Sequence, residues 1–293
     1  MSNSTVKFFS LSSGSCGNCY FLSLEEDGVH TAGVVIDAGV SLRRLKKELL
    51  AKGYSFDSFS AILVTHDHLD HIRHLGSYCK HICKPVYATP VLHRALSQHT
   101  FTAAWIGGCS RFLEDKGWNV IVPDKIFAKY FVVPHDATQT VGYALWIGGY
   151  KFVIMTDIGD MTEEALAYAR NADTVVIESN YDRDMLITGP DPYELKMRIL
   201  GGSGHLRNDQ CAEAVKAFMH DGLRNVFLCH LSENNNTPDL AFGTTAEALE
   251  SIGYHQSYAK SAVFTCEAEG RAHSVNLRAL PRRTASPLYV LGP

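Results

Sequence analysis

The sequence predicts an α/β fold, and three observations carry that expectation. Short β-branched and aromatic runs alternate with amphipathic helical stretches along the chain. Several runs are apolar throughout, the pattern of strands buried on both faces beneath covering helices. The runs also stop at polar or ligating residues, and open α/β sheets gather ligands beyond the carboxyl ends of their strands.

Taken in order, residues 6–11 and 20–24 read as two strands joined through 12–18. Glycines in that join let backbone amides point at an anion, which makes Ser15, Gly17 and Asn18 candidates for a phosphate-binding loop; a tight hairpin is the equal alternative. Cys16 and Cys19 have redox or zinc half-site spacing, but no second CxxC pairs with them. The run 33–36 ends at Asp37. Residues 41–52 read as a helix capped by Ser41, with Leu42, Leu45, Leu49 and Leu50 on one side and Gly53 as its stop. The run 61–65 ends at His66, 130–134 at His135, 152–156 at Asp157, 174–177 at Glu178 and 226–229 at His230. Helices are expected over 162–170 and 209–220, with Thr162 and Asp209 as N-caps. No repeat or Pro/Ser/Gly linker divides the chain. One domain is therefore expected over residues 1–275, followed by a loosely ordered tail over 276–293 that lacks periodicity.

Composition narrows the function classes. The chain has 293 residues, 46% hydrophobic and 20% charged, too apolar for disorder, and no apolar run is long enough to span a bilayer. Residues 1–11 lack the charged start and sustained apolar core of a secretory signal, so a cytoplasmic location is the expectation, and the eight cysteines read as reduced thiols. A net charge of −4 does not advertise a polyanion partner. Local basic clusters at Arg43, Arg44, Lys46 and Lys47, and at Arg278, Arg282 and Arg283, read as solvated faces.

The string His66-Asp67-His68-Leu69-Asp70-His71 places four strong metal ligands within six residues, directly after an apolar run. A catalytic metal needs about three protein ligands and an open position, and two metals about 3.5–4 Å apart share a bridging carboxylate. His66 and His68, two apart in an extended segment, can converge on one ion, while Asp70 and His71 open the next helix and face a second. His135 and His230 can each complete a set, with Asp157 as the bridge. Mixed imidazole and carboxylate donors suit two divalent ions, zinc or manganese, with iron also compatible.

With these motifs in order, the chain resembles the metallo-β-lactamase-fold hydrolases up to about residue 275. The resemblance implies a four-layer αββα sandwich with metals at one edge. Asp37, the string from His66 to His71, His135, Asp157 and His230 stand for the family's successive motifs. It also implies that Asp37 braces the metal loop by hydrogen bonds rather than ligating, and that Asp70 is catalytic as well as ligating. Within the superfamily the chain is similar to the bacterial YycJ/WalJ group. The segments that carry this are SGSCGN (13–18), PHDA (134–137), TDIG (156–159), ESNYD (178–182), GHLRN (204–208) and HLSENN (230–235). That likeness implies a 5′-to-3′ exonuclease with nucleic acid, DNA favoured, as its substrate and a hydroxide between the metals as nucleophile. Glu178 and His205 resemble the dyad of tRNase Z, in which a protonated His205 held by Glu178 stabilises the scissile phosphate or protonates the leaving oxygen. The competing reading is a small-molecule metallohydrolase acting on a lactone, thioester or cyclic nucleotide with the same ligands. An oxygen-handling iron enzyme fits less well, because His68 stands where such relatives carry Glu.

Overall fold

A computed structural model describes residues 4–268 and 271–292. Residues 1–3, the start of the stretch read for a targeting signal, lie outside the described residues. In chain order the elements are β1 (Ser4–Gly14), β2 (Gly17–Glu26), β3 (Val29–Ile36), α1 (Leu42–Ala51), β4 (Ala61–Leu63), α2 (Leu69–Ile72), α3 (Leu75–Ile82), β5 (Val86–Ala88), α4 (Pro90–Gln98), α5 (Ala103–Ile106), β6 (Ser110–Phe112), β7 (Asn119–Val122), β8 (Ile126–Val133) and β9 (Thr140–Ile147). They continue with β10 (Tyr150–Met155), α6 (Glu163–Ala169), β11 (Thr174–Glu178), α7 (Arg183–Thr188), α8 (Tyr193–Leu200), α9 (Asn208–Phe218), β12 (Asn225–Cys229), α10 (Pro238–Ser251), β13 (His255–Gln256), β14 (Val263–Ala268), β15 (Arg271–Ala279) and β16 (Tyr289–Gly292). Within the expected single domain the chain divides into two compact units. The first runs to Val132 and adds Asp136–Tyr150 and the segment from Pro281; the second comprises Val133–His135 and Lys151–Leu280.

In the first unit, seven strands pair in the order β16-β1-β2-β3-β4-β5-β6. Tight hairpins join β1 to β3, so those strands run antiparallel. From β3 to β6 the pairing is parallel, which requires crossovers; α1, then α2 with α3, then α4 with α5 supply them. The β3–β4 register sets Ile36 beside Leu63, so both carboxyl ends emerge together and deliver Asp37 and His66 to one place. Helix α1 is capped as expected, with Ser41 Oγ accepting from the Arg44 amide at 3.3 Å. Only Leu45 and Leu49 of its leucine set are buried, and Leu50 is 58% exposed, so the apolar stripe is narrower than the sequence suggested.

Two further expectations are corrected in this unit. Strand β8 is not buried on both faces: it pairs antiparallel with β7, and Val132 is 48% exposed, as befits a sheet open to water on one side. Among the described residues, 276–292 are not the loose tail expected over 276–293. Residues up to Ala279 complete β15, and β16 pairs antiparallel with β1, setting Tyr289 beside Phe8. Ser286 is buried and exchanges two bonds with Ser10, its amide donating to Ser10 O at 2.9 Å and its Oγ accepting from Ser10 N at 3.0 Å. These partners lie at the other end of the chain, which is why no local period announces them.

In the second unit the order is β13-β14-β15-β12-β11-β10, with β10, β11, β12 and β15 parallel and β13 and β14 antiparallel at the edge. Parallel strands lie about 4.8 Å apart. The register Met155–Ile177–Leu228 therefore brings Asp157, Glu178 and His230 to adjacent strand ends. Thr162 caps α6 as expected, its Oγ1 accepting from Ala165 N at 3.1 Å. Asp209 does not cap α9. The helix begins at Asn208 with Arg207 in the cap position, because Asn208 is drawn inward by bonds from Ser179 Oγ (2.7 Å) and Asn236 Nδ2 (2.9 Å).

Candidate metal centre

The first unit holds His66, His68, Asp70 and His71 on the loop after β4 and the short helix α2. Consecutive rings lie close together, with His66 and His71 centroids 4.0 Å apart and His66 and His68 4.8 Å apart. His71 Nε2 is 3.6 Å from Asp70 Oδ2. Asp37 is fully buried and organises the loop. Its Oδ2 accepts from His71 Nδ1 (2.7 Å) and Thr65 Oγ1 (2.8 Å), and its Oδ1 accepts from the Thr65 amide at 2.8 Å. A carboxylate can only accept, so the His71 proton sits on Nδ1 and the lone pair on Nε2. Asp37 also takes a left-handed backbone conformation, φ 60°. For a non-glycine residue that is a strained state, held by these bonds.

The second unit holds His135, Asp157 and His230 with Glu178 and His205. Asp157, Glu178, His205 and His230 each place one oxygen or nitrogen within 4.8 Å of the others. Glu178 is fully buried, and its Oε1 lies 2.8 Å from His205 Nδ1 and 2.9 Å from His230 Nδ1. His135 donates from Nδ1 to Gly204 O at 2.7 Å, which turns Nε2 toward Asp157 Oδ1 at 3.7 Å. His230, like Asp37, directly follows a strand in a left-handed conformation, φ 51°.

Burial works against the charge on His205, but the Glu178 carboxylate, through attraction and a hydrogen bond, and Asp157 outweigh it and raise the ring's pKa. Burial likewise opposes ionisation of Glu178, and the two imidazoles overcome it, lowering its pKa. His135 goes the other way: burial dominates and its pKa falls, which favours the neutral form that ligates.

The join at 15–18 is a tight hairpin, with Gly14 paired to Gly17 and Ser15 and Cys16 exposed at its tip. Asn18 points inward. Its Oδ1 accepts from Gly14 N at 2.9 Å, and its Nδ2 lies 2.8 Å from His71 Nε2 and 3.1 Å from Asp70 Oδ2. Burial pushes the Cys19 thiol pKa up, so it is no thiolate, and Cys16 stays at the exposed tip.

Residues that sequence reasoning passed over support both sets. Thr65 links Asp37 to the loop. Asp67 accepts from the Thr138 amide at 3.1 Å and ties residues 136–140 to the ligand string. Asn180 donates from Nδ2 to His230 O at 2.7 Å and lies 3.2 Å from His230 Nδ1. Its place in ESNYD, two residues beyond Glu178, was the available signal.

The donors fit divalent cations. They are imidazole nitrogens and carboxylate oxygens, with no thiolate among the grouped residues. Buried carboxylates require cationic or hydrogen-bonding partners, and in the second unit Asp157 and Glu178, both almost inaccessible, face three imidazoles. The Nδ1 atoms of His71, His135 and His230 are each held by an oxygen acceptor, the supporting arrangement that orients an imidazole to ligate through Nε2.

A beta-lactamase superfamily domain matches residues 33–231. Over 249 residues the chain is 31% identical to exodeoxyribonuclease YycJ of Bacillus anthracis, covering 85% of this chain and 91% of that protein. It is 29% identical to exodeoxyribonuclease WalJ of Streptococcus pneumoniae D39 over 249 residues, covering 85% and 90%. Its fold is similar to the crystal structure of the metallo-β-lactamase fold protein YhfI of Bacillus subtilis, with a TM-score of 0.64 and 14% identity over 98% of this chain and 99% of that one. The α/β architecture, the ordered strand-end motifs and these matches agree: the chain belongs to the beta-lactamase superfamily, has the metallo-β-lactamase fold, and within that superfamily is similar to the YycJ/WalJ proteins.

Proposed function

We propose that this metallohydrolase is a phosphodiesterase acting on nucleic acid, specifically a 5′-to-3′ DNA exonuclease. The observation that carries the reading is the 2.8 Å Glu178–His205 pair set beside Asp157 and His230. The His205 side chain keeps 21% of its surface accessible, against 2–3% for Asp157 and His230, so of these three it is the one that can meet a substrate. With Nδ1 tied to Glu178 and its pKa raised, His205 would act as a proton donor through Nε2 when the ring is charged. That group neutralises charge growing on a phosphoryl oxygen and donates its proton to the departing oxygen, while Glu178 holds the ring in place. The likeness to exodeoxyribonuclease YycJ over 85% of the chain supports DNA as the substrate.

His66, His68, Asp70, His71, His135, Asp157 and His230 would hold two divalent cations, zinc or manganese. When bound, such a pair supplies an acidified water as nucleophile and Lewis acidity at phosphorus. Asp37 fixes the proton of His71, and Asn180 fixes the backbone at His230. No helix among the described residues is long and apolar enough to cross a membrane. A DNA substrate would put the activity in the cytoplasm.

The test is degradation of end-labelled single- and double-stranded DNA and RNA with manganese or zinc, comparing the native protein with Asp157→Ala and His205→Ala. Release of mononucleotides from the 5′ end of DNA, abolished by the first change and slowed about 10²- to 10⁴-fold by the second, is expected. Turnover of lactones or thioesters with no cleavage of nucleic acid would overturn the reading.

A further inference from the structure

In the first unit, Arg283 meets Arg43, Arg44 and Lys47, cations that read in the sequence as belonging to unrelated solvated faces. Arg43, Arg44 and Lys47 of α1 and Arg283 line one concave pocket of about 420 Å³, together with Ser41, Glu48, Thr284 and Ala285. The two segments are far apart in sequence, Arg44 and Arg283 being 239 positions apart. Arg44 itself joins them, one guanidinium nitrogen donating to both Leu11 O and Arg283 O. Arg43, Lys47, Arg283 and Thr284 are exposed. Glu48, the one carboxylate in the lining, lies 3.8 Å from Lys52, so the wall is strongly cationic.

This placement runs against two ordinary preferences. Cations gathered on a concave wall repel one another unless an anion lies between them. Arginines in the first turn of α1, which has no acidic residue there, also oppose the helix dipole, which favours negative charge at that end. A phosphate in the pocket would offset both, and guanidinium groups are suited to bind one.

The position of the pocket says which phosphate. Ser41 lies two residues beyond Gly39, and two residues span at most about 7 Å. Gly39 N bonds to Asn18 O at 2.9 Å, and the glycine packs so tightly on the ligand loop that a Cβ there would stand 1.8 Å from Asp70 O. The rim of the pocket at Ser41 therefore lies within about 7 Å of Gly39, the residue packed against the candidate metal loop.

We infer that the α1 and 283–285 pocket is a subsite for a backbone phosphate of the substrate strand, away from the bond that is cut. The inference rests on the nucleic-acid reading above and deepens it. It also accounts for how a chain of net charge −4 engages a polyanion: three arginines and a lysine share one cleft, where the local charge is positive.

The test is fluorescence anisotropy with a labelled single-stranded DNA oligonucleotide, over a salt series, beside cleavage of the same strand. The variants are Arg43→Ala/Lys47→Ala and, as control, Lys46→Ala, which removes a charge from the same helix outside the pocket. Alanine suits a helix, so α1 is retained. The double variant is expected to bind on the order of tenfold more weakly, and to flatten the slope of log affinity against log salt by about 0.7 for each phosphate that is no longer neutralised. The control should follow the native protein. Equal losses in control and double variant, or no loss in either, overturn the subsite. A native protein that binds the strand without cutting it, and loses binding in the double variant, leaves the subsite standing and removes the nuclease reading. A native protein that neither binds nor cuts overturns both.

Discussion

Asp37 Oδ2 lies 2.7 Å from His71 Nδ1, with both side chains wholly inaccessible to solvent. The carboxylate also accepts from the amide and hydroxyl of Thr65, so one buried group orients the ring and the loop that carries it. Asp37→Asn keeps the shape but replaces an acceptor oxygen with a donor nitrogen or a neutral carbonyl. Metal affinity is expected to fall about 10- to 100-fold, measured by competition with a chromogenic chelator. Unchanged affinity would deny Asp37 this supporting role.

Glu178 and His205 separate by a two-readout experiment. Glu178 Oε1 accepts from both His205 and His230, whereas His205 touches the substrate side. His205→Ala is expected to lower turnover by about 10²- to 10⁴-fold with bound metal retained. Glu178→Gln should lower turnover and also weaken metal binding by about 10- to 100-fold, because His230 loses its anionic partner. Metal content by atomic spectroscopy, read beside kcat, distinguishes the two. Equal metal loss in both variants would mean that His205 acts as a ligand instead.

The strand ends were legible because an apolar run that stops at Asp157 or His230 is a local signal, and parallel register does the rest. The string from His66 to His71 was legible for the same reason: its ligands are neighbours in sequence. The supports were not. Asn18 reaches Asp70 and His71 across 52 and 53 positions, and Gly204 O reaches His135 across 69, pairings that only the folded chain creates. Strand β16 was missed because four residues carry no period, and its partner β1 opens the described chain. Asp209 misled as a cap because the competing signal, the inward bonds of Asn208, depends on Ser179 and Asn236.

Stability should fall as the solution is acidified from neutrality. His93 is buried, its Nε2–H donates to Arg111 O at 2.9 Å, and burial lowers its pKa below the ordinary 6.5. The unfolded chain therefore takes up this proton first. The contribution is fully present above about pH 6.5 and is lost as the pH drops toward the folded value. The urea midpoint of the metal-free protein is expected to be lower at pH 5.5 than at pH 7.5, and the fall should be shallower in His93→Gln. An identical pH dependence in the variant would assign the effect to other groups.

Gly39 offers the sharpest steric test of the ligand loop. A methyl group added there would stand 1.8 Å from Asp70 O and 2.5 Å from Asn18 N, both backbone atoms that no rotamer change can move aside. Relief requires the turn carrying Asp70 and His71 to shift away from the β2 strand. Gly39→Ala is therefore expected to destabilise the protein by at least about 1–3 kcal/mol in urea unfolding and to weaken metal binding as well. Gly53→Ala is the control. Gly53 sits at positive φ, 81°, but a Cβ there meets nothing within 4 Å, so the cost is about 1 kcal/mol of backbone strain with metal affinity unaltered. Loss of metal binding in Gly39→Ala but not Gly53→Ala ties the effect to the close approach of the Asp70 loop. Equal behaviour of the two variants would reduce it to a general loss of stability.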